Sequence, residues 1–233
     1  MKYPVPVLIA FDAFRDKHEI RVVGGCVRDV LSNRTPKDWD MCTSATPEET
    51  FKILDDAGLR PYDISNGHGT ICFEYEGDII EITTLRVDEK TDGRHAEVRF
   101  VTDFQLDAAR RDFTINAMSM DRDYKVYDYF RGQDDLLNQR IRFVGSANAR
   151  IKEDYLRILR FYRFVGRFSS YDKIDRETSL AIFNNRKGLK QISGERIWME
   201  MQQIFALNDT NILVHMDQYG ILKTLGIKLK DGL

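Results

Sequence analysis

The pattern of secondary-structure signals changes near residue 140, and this change limits the possible folds most strongly. Before it, short β-like runs such as Arg21-Val22-Val23 alternate with helical segments. After it, strand signals fade and long helical periodicities replace them. We therefore expect an α+β protein with a mixed β-sheet and helices over 1–139 and an all-α domain over 140–233. Helices are expected near 148–168, 174–185, 193–206 and 210–219.

Three segments of the first half carry clear local signals. Thr46-Pro47-Glu48-Glu49 has the residues of a capping box with proline at the first helical position, which predicts a helix that ends before Gly58. Thr70 to Tyr75 and Asp78 to Thr84 flank a Glu-Gly turn and predict a β-hairpin. Arg86 to Glu97 is polar with few large apolar groups, so we expect an exposed, mobile loop there.

Composition and charge exclude several classes of protein. Apolar residues make up 42% and charged residues 31% of the chain, as in ordinary globular proteins. The net charge of -2 means that any contact with a polynucleotide depends on a local basic patch. Three cysteines without Cys-x-x-Cys spacing indicate neither a disulfide framework nor a zinc site, so we expect a cytoplasmic protein. No apolar run approaches the roughly 20 residues that a membrane helix needs.

The run Asp38-Trp39-Asp40 is the first candidate for chemistry. Residues two apart on a strand share a face, so Asp38 and Asp40 would present adjacent carboxylates that a magnesium ion could bridge. About ten residues earlier, Gly24-Gly25 separates a strand from a helix, where bare backbone N–H groups can cradle phosphate and Arg28 adds positive charge. A Gly-Gly pair alone is common at ordinary turns, and an Asp-x-Asp run alone is common at solvated strand ends. The two together indicate a site for metal and phosphate.

These residues resemble the first signature of the bacterial-type, class II tRNA nucleotidyltransferase and poly(A) polymerase family. Three further signatures follow in the order of that family. They are Arg110-Arg111-Asp112-Phe113-Thr114-Ile115-Asn116-Ala117, the segment from Glu153-Asp154 to Arg163-Phe164, and Glu195-Arg196. The resemblance runs from about residue 20 to the end and implies a nucleotidyltransferase head followed by a helical neck.

The second signature implies contacts with the sugar and phosphates of the nucleotide. Arg111 can meet phosphate and Asp112 can accept a hydrogen bond from a ribose hydroxyl at what we expect to be a helix start, and the resemblance adds Asn116. A surface Arg-Asp pair with a capping role would also explain this sequence.

The helix expected from Glu153 implies base selection without a template. Asp154, Arg157, Arg160 and Arg163 recur every three residues and so form a stripe along it. A carboxylate accepts from the exocyclic amine shared by cytosine and adenine, and an arginine donates to the adjacent ring nitrogen. By resemblance Asp154 and Arg157 do this, Glu153 orients the arginine, and Arg160 and Arg163 hold phosphates. A charged, solvated helix face is the alternative.

Glu81 is a third candidate metal ligand, because it alternates with Ile80 and Ile82 and can approach the aspartates. An ordinary solvent-facing glutamate remains the alternative. The resemblance implies that two magnesium ions act during transfer. In the family, a flexible loop in place of 86–97 accompanies addition of the terminal adenosine.

The resemblance implies an enzyme that adds or repairs the 3′-terminal CCA of tRNA from CTP and ATP and releases pyrophosphate. Poly(A) polymerase, a CC- or A-adding partial enzyme, and a non-catalytic RNA-binding module stay open. Full-length relatives continue through body and tail domains that grip tRNA, so the chain is either a fragment or a compact enzyme. A homodimer is one way for a compact enzyme to gain RNA-binding surface.

Overall fold

The computed structural model describes residues 2–64, 69–91 and 96–228. Contacts divide these residues into two compact units. Unit 1 contains 2–64, 69–91, 96–111 and 115–133, and unit 2 contains 112–114 and 134–228. The domain boundary expected after residue 139 stays a prediction. Within the described ranges no helix is long and apolar enough to cross a membrane.

Unit 1 is built on a seven-stranded sheet with helices. Its strands are β1 (Ile20–Val23), β2 (Asp40–Thr43), β3 (Tyr62–Asp63), β4 (Thr70–Tyr75), β5 (Asp78–Thr84), β8 (Met118–Met120) and β9 (Val126–Asp128), in the order β3-β4-β5-β2-β1-β8-β9. A separate two-stranded ribbon pairs β6 (Arg86–Thr91) with β7 (Ala96–Phe100). The helices are α1 (Val5–Phe14), α2 (Gly25–Leu31), α3 (Pro47–Asp56) and α4 (Phe104–Ala109), and α5 (Gly132–Leu137) contains the division between the units.

The sheet is mixed, as the sequence predicted. β2 runs parallel to β5, and the other pairings of the seven strands are antiparallel. The pairing register places Val22, Met41, Ile82 and Ile71 side by side across four strands, and all four are buried. Burial of such a side chain contributes about 1.5–3 kcal/mol. This apolar row therefore fixes the register, since a one-residue slip would turn it to the opposite face.

The strand residues next to this row face the opposite side of the sheet. There the register aligns Asp40 with Glu81, Glu81 with Cys72, and Cys72 with Tyr62. Asp40, Glu81 and Tyr62 are exposed. The alternation of β-strands thus puts the two acidic side chains on neighbouring strands and on one face.

Local capping and turn predictions for unit 1 are confirmed. Thr46 accepts a hydrogen bond from the backbone of Glu49, whose carboxylate accepts from the Thr46 backbone N–H, so α3 begins with a complete capping box. Such a cap stabilises a helix by about 1 kcal/mol. β4 and β5 form the predicted hairpin.

The loop expected at 86–97 is wrong for most of that segment. β6 and β7 pair antiparallel from Arg86 with Phe100 to Thr91 with Ala96, with an irregularity between Asp88 and Lys90. Arg99 and Glu89 form an exposed ion pair at 2.7 Å across the two strands. Both strands are rich in charged residues, whereas the pattern that predicts strands is a run of β-branched and aromatic residues, so the sequence did not reveal them. Residues 92–95 lie outside the described residues.

Unit 2 is helical. It contains α6 (Ala147–Glu153), α7 (Arg157–Phe168), α8 (Arg176–Asn185), α9 (Gly194–Phe205), α10 (Thr210–Gln218) and α11 (Ile221–Leu225), with 3₁₀ helices at Tyr171–Lys173 and Arg186–Gln191. α7 lies in the core and buries Ile158, Leu159, Phe161, Tyr162, Phe164 and Val165. The rings of Phe143 and Phe161 stack at 5.7 Å, and Phe113 packs against both.

The continuous helix expected over 148–168 is wrong, because the chain bends at Asp154. Asp154 is extended (φ -153°, ψ 107°), so α6 ends at Glu153 and a new helix begins at Arg157. The Asp154 carboxylate accepts a hydrogen bond from the Leu156 backbone N–H at 3.1 Å, which satisfies a donor at the new helix start. Asp154 is therefore absent from the helical stripe predicted from the sequence, and Arg157, Arg160 and Arg163 continue it without Asp154.

Candidate active site

The acidic side chains of unit 1 gather at the beginning of β2 and β5. Asp40 is the first residue of β2, Asp38 lies just before the strand, and Glu81 pairs in register with Asp40. Asp40 is exposed at the surface, but partial desolvation by the surrounding protein raises the pKa of its carboxyl; Arg111 opposes this shift and Asp38 adds to it. Partial desolvation also raises the pKa of Glu81, with further contributions from Asp40 and Asp38. The three carboxylates therefore interact and repel one another.

This arrangement suits a hard divalent cation chemically. Carboxylate oxygens are the protein ligands that magnesium prefers, and a cation would relieve the repulsion between Asp38 and Asp40. In the part of the chain that the structure describes, no group of three or more His, Cys, Asp or Glu side chains has the spacing of a formed metal site. Trp39, between the aspartates, is half-buried and packs edge-on against Tyr3, with ring centroids 5.5 Å apart.

Gly24 and Arg111 lie next to this acidic cluster. Gly24 has φ 74° and ψ -122°, a conformation that side chains disfavour, and ends β1 where α2 begins. A Cβ atom on Gly24 would lie 2.8 Å from a terminal nitrogen of Arg111. The guanidinium of Arg111 therefore rests on the bare backbone of Gly24, close enough to Asp40 to oppose the rise in its pKa.

Asp107 holds Arg111 in this place. The Asp107 carboxylate accepts hydrogen bonds from Arg111 at 3.1 and 3.3 Å and from Arg110 at 2.8 Å. Burial disfavours the charged guanidinium of Arg111, but Cys42 and Asp107 outweigh it and raise its pKa. Arg111 therefore stays a cation beside the acidic cluster. Sequence reasoning missed Asp107, although its spacing of four residues from Arg111 was a usable signal.

Arg28 is buried and paired inside unit 1. Its guanidinium donates to Asp29 at 2.8 and 2.9 Å and to the side-chain oxygen of Asn116 at 2.6 Å. Two residues expected to contact the nucleotide, Arg28 and Asn116, therefore lie together and hold α2 in place. Gly25 begins α2. The phosphate contacts expected for all three stay predictions.

The helix start expected at Arg111 and Asp112 is wrong. α4 begins earlier, where Asp103 caps it by accepting from the backbone N–H of Gln105 at 2.7 Å, and it ends at Ala109. Arg111 and Asp112 therefore follow α4, and a short 3₁₀ helix (Thr114–Asn116) begins two residues after Asp112. Phe113, between Asp112 and this 3₁₀ helix, forms a β-bridge with Phe143.

In unit 2, each arginine that the sequence assigns to nucleotide binding on α7 has an acidic partner. Arg157 donates to Glu153 at 2.5 Å, so the two residues that the resemblance associates are paired, while their role in base selection stays a prediction. Arg160 donates twice to Asp112, at 2.6 and 2.8 Å. Burial disfavours the charged form of Arg160, but the attraction of the Asp112 carboxylate is stronger than this effect and raises the pKa of Arg160.

Arg163 and Asp154 are paired with residues of α9. Arg163 donates to Glu200 at 2.6 Å, and both side chains are largely buried, with 12% and 8% exposure. Arg196 donates to Asp154 at 2.8 Å. Sequence reasoning missed the roles of Glu200 and Arg196, because the pairing depends on how α9 packs against α7. The phosphate contact expected for Arg163 stays a prediction, and its position as half of a buried pair gives it a packing role as well.

Comparisons with known proteins identify the class to which these two units belong. The family described as poly A polymerase head domain matches residues 20–142, and the family described as probable RNA and SrmB- binding site of polymerase A matches residues 173–227. The chain belongs to the poly A polymerase head domain family, which the motifs around Asp38 and Arg111 implied. Its α+β fold class is confirmed as well.

Within this family, the chain is similar to proteins named for CCA addition to tRNA. The chain is 50% identical over 208 residues to CCA tRNA nucleotidyltransferase 1, mitochondrial, of Homo sapiens, across 87% of this chain and 47% of that protein. It is 43% identical over 188 residues to the CCA-adding enzyme of Oceanobacillus iheyensis, across 78% of this chain and 45% of that enzyme. The Bacillus stearothermophilus CCA-adding enzyme in complex with CTP matches with a TM-score of 0.80 and 34% identity, across 95% of this chain and 53% of that one. The chain thus spans about half the length of these relatives.

Proposed function

We propose that this protein is a template-independent tRNA nucleotidyltransferase that adds or repairs the 3′-terminal CCA of tRNA with CTP and ATP. The observation that carries the proposal is the acidic cluster of Asp38, Asp40 and Glu81 beside the Gly24 turn and Arg111. A relative that is 50% identical is named CCA tRNA nucleotidyltransferase 1, mitochondrial, and one that is 43% identical is named CCA-adding enzyme. In this reaction the terminal ribose hydroxyl of the RNA attacks the α-phosphate and pyrophosphate leaves.

The proposal assigns magnesium to Asp38 and Asp40, with Glu81 as the neighbouring carboxylate. Bound magnesium supplies charge neutralisation at the phosphates and lowers the pKa of the attacking hydroxyl. Arg111 adds a permanent positive charge that Asp107 keeps in place. Its guanidinium is suited to bidentate contacts with phosphate oxygens. Unit 1 is thus assigned the triphosphate chemistry.

Unit 2 is assigned base selection. Asp154 accepts one hydrogen bond from Arg196 and one from the Leu156 backbone, whereas a carboxylate offers about four acceptor positions. It therefore retains capacity to accept from the exocyclic amine of cytosine or adenine. Uracil and guanine present a carbonyl at that place, which a carboxylate repels. Glu153 and the backbone carbonyl of Arg150 orient Arg157 for the adjacent ring nitrogen.

An incorporation assay with a tRNA that lacks its CCA end tests this proposal. The wild-type chain should add CTP and then ATP, and Asp40→Asn should reduce incorporation by about 10³-fold, since metal charge stabilisation is worth several kcal/mol and 1.36 kcal/mol is tenfold in rate. Glu74→Gln is the matched control, because Glu74 is another exposed carboxylate on the same face of the sheet. It should leave the rate unchanged.

Each alternative has a distinct outcome in the same assay. A long adenosine ladder indicates a poly(A) polymerase, and a product that stops after CC or needs a CC end indicates a partial enzyme. Near-normal incorporation by Asp40→Asn refutes the metal assignment. Wild-type incorporation no greater than that of the Asp38→Ala, Asp40→Ala variant indicates a non-catalytic RNA-binding module. Homodimer formation and cytoplasmic location stay predictions, which sedimentation and cell imaging test.

A further inference from the structure

An aromatic ring in the bend between α6 and α7 rests directly on a glycine. Tyr155 is half-buried in this bend, immediately after Asp154. Gly188 lies in the 3₁₀ helix Arg186–Gln191 and is buried. A Cβ atom on Gly188 would lie 2.2 Å from two carbons of the Tyr155 ring and 2.4 Å from a third. Real Cβ atoms do not approach other atoms so closely, so the ring occupies the space of a side chain at position 188.

Gly188 cannot retreat from the ring, because its helix is anchored in the core. The adjacent Leu189 is fully buried, and the 3₁₀ helix packs on both α8 and α11. The backbone of Gly188 does not have a positive φ. Glycine is therefore required here by lack of space, and an alanine would have to displace Tyr155.

Displacement of Tyr155 would move Asp154, its neighbour in the chain. Three interactions hold the Asp154 carboxylate: its bond from Arg196, its bond from the Leu156 backbone, and the contact of Tyr155 with Gly188. The first two act on the carboxylate itself. The backbone that carries it belongs to the start of α7, where the Asp154 carbonyl accepts from the Arg157 N–H at 3.0 Å, and the contact of Tyr155 with Gly188 sets this start against the 3₁₀ helix Arg186–Gln191. Hydrogen bonds to a base edge lose strength steeply when their geometry departs from alignment.

We propose that Gly188 and Tyr155 are positioning residues for base selection, in which the glycine seats the tyrosine ring and the ring sets the place of the Asp154 carboxylate. This inference rests on the proposed assignment of base selection to Asp154 and Arg157. It adds a determinant that lies outside the sequence motif itself. The expected signature is a loss of discrimination between bases, with a smaller effect on nucleotide binding in general.

The test measures the ratio of the Kd for UTP to the Kd for CTP on the full chain, so it does not depend on tRNA binding. Gly188→Ala should lower this ratio at least fivefold, because a well-made pair of base contacts discriminates by at least that factor. Gly194→Ala is the matched control, since a Cβ there meets no atom within 4 Å. It should leave the ratio unchanged.

A double-mutant cycle then separates positioning from a general structural effect. In a Tyr155→Ala background the ring is gone, so Gly188→Ala should change the ratio no further. If the two effects add, the glycine does not act through the ring and the inference is wrong. Weakening of CTP and UTP by the same factor, with an unchanged ratio, also refutes it.

Folding and the proposed function are controlled separately. If Gly188→Ala does not fold by circular dichroism, Tyr155→Ala alone carries the test, and an unchanged ratio in that variant refutes the inference. A wild-type chain that binds CTP and UTP equally overturns the base selection itself and the inference with it. A wild type that discriminates and a folded Gly188→Ala that discriminates equally overturn the positioning role alone.

Discussion

The two adjacent glycines at the end of β1 should respond very differently to alanine. Gly24 has a positive φ, and a Cβ there would lie 2.8 Å from Arg111. Backbone strain of this kind costs about 1–3 kcal/mol, and disturbing the charged bonds of Arg111 to Asp107 adds a part of their 1.5–3 kcal/mol. Gly24→Ala should therefore lower the free energy of unfolding of unit 1 by about 3 kcal/mol. A shift of roughly 10 °C in Tm follows.

Gly25→Ala should be nearly neutral for stability. The first atom that its Cβ meets is a guanidinium nitrogen of Arg28 at 3.5 Å, an ordinary van der Waals distance, and Gly25 begins a helix, where alanine is favourable. The free energy of unfolding should stay within about 0.5 kcal/mol of wild type. Gly58→Ala is the control for strain alone, since Gly58 has φ 75° with no atom near its Cβ. It should cost about 1–2 kcal/mol.

Urea unfolding followed by tryptophan fluorescence measures these differences. The chain has two tryptophans, so a Trp198→Phe background leaves Trp39 as the reporter of unit 1, and Trp198 is exposed enough to replace. The expected order of destabilisation is Gly24→Ala, then Gly58→Ala, then Gly25→Ala. If Gly25→Ala destabilises as much as Gly24→Ala, or if Gly24→Ala costs no more than Gly58→Ala, the reasoning from Arg111 is wrong.

Two further predictions concern unit 2. Arg163→Ala should lower the free energy of unfolding by about 1.5–3 kcal/mol, because buried Glu200 loses its 2.6 Å partner and keeps the longer contact with Arg160 at 3.8 Å. Arg99→Ala, which breaks an exposed pair in unit 1, should cost less than about 1 kcal/mol in the same denaturation assay. Burial lowers the pKa of His215 from 6.5, so its neutral form stabilises the fold. That stability is present above pH 6.5 and is lost as the pH falls through the lowered pKa. The urea midpoint should therefore drop between pH 7 and pH 5, and His215→Gln should flatten this profile; an identical profile in the variant would contradict the assignment.

Local features of this fold could be predicted from the sequence, because their causes are local. The capping box from Thr46 to Glu49 is complete within four residues. The turn at Glu76 and Gly77 joins two strands whose residues already favour pairing, and both residues have the positive φ that such turns use. In these places the residues that cause the structure are sequence neighbours.

The bend at Asp154 could not be predicted, because its causes are distant in sequence. No proline or glycine interrupts 147–165, so the segment has the periodicity of one helix. Arg196 and Gly188 hold the bend, and both come from other elements of unit 2. The pairing of Arg163 with Glu200 could not be predicted for the same reason, because the two residues are distant in sequence. The residue types of the candidate site were therefore identifiable, whereas the partners that orient them required the structure.

The parallel pairing of β2 with β5 has a consequence for synthesis on the ribosome. Asp40 and Glu81 are separated in the chain by α3, β3 and β4, and they become neighbours only when this central pairing forms. A nascent chain that has emerged only as far as β4 contains both aspartates but lacks the third carboxylate. The acidic cluster can therefore form once Glu81 has left the exit tunnel and β5 pairs with β2, before β8 and β9 of the same sheet have emerged.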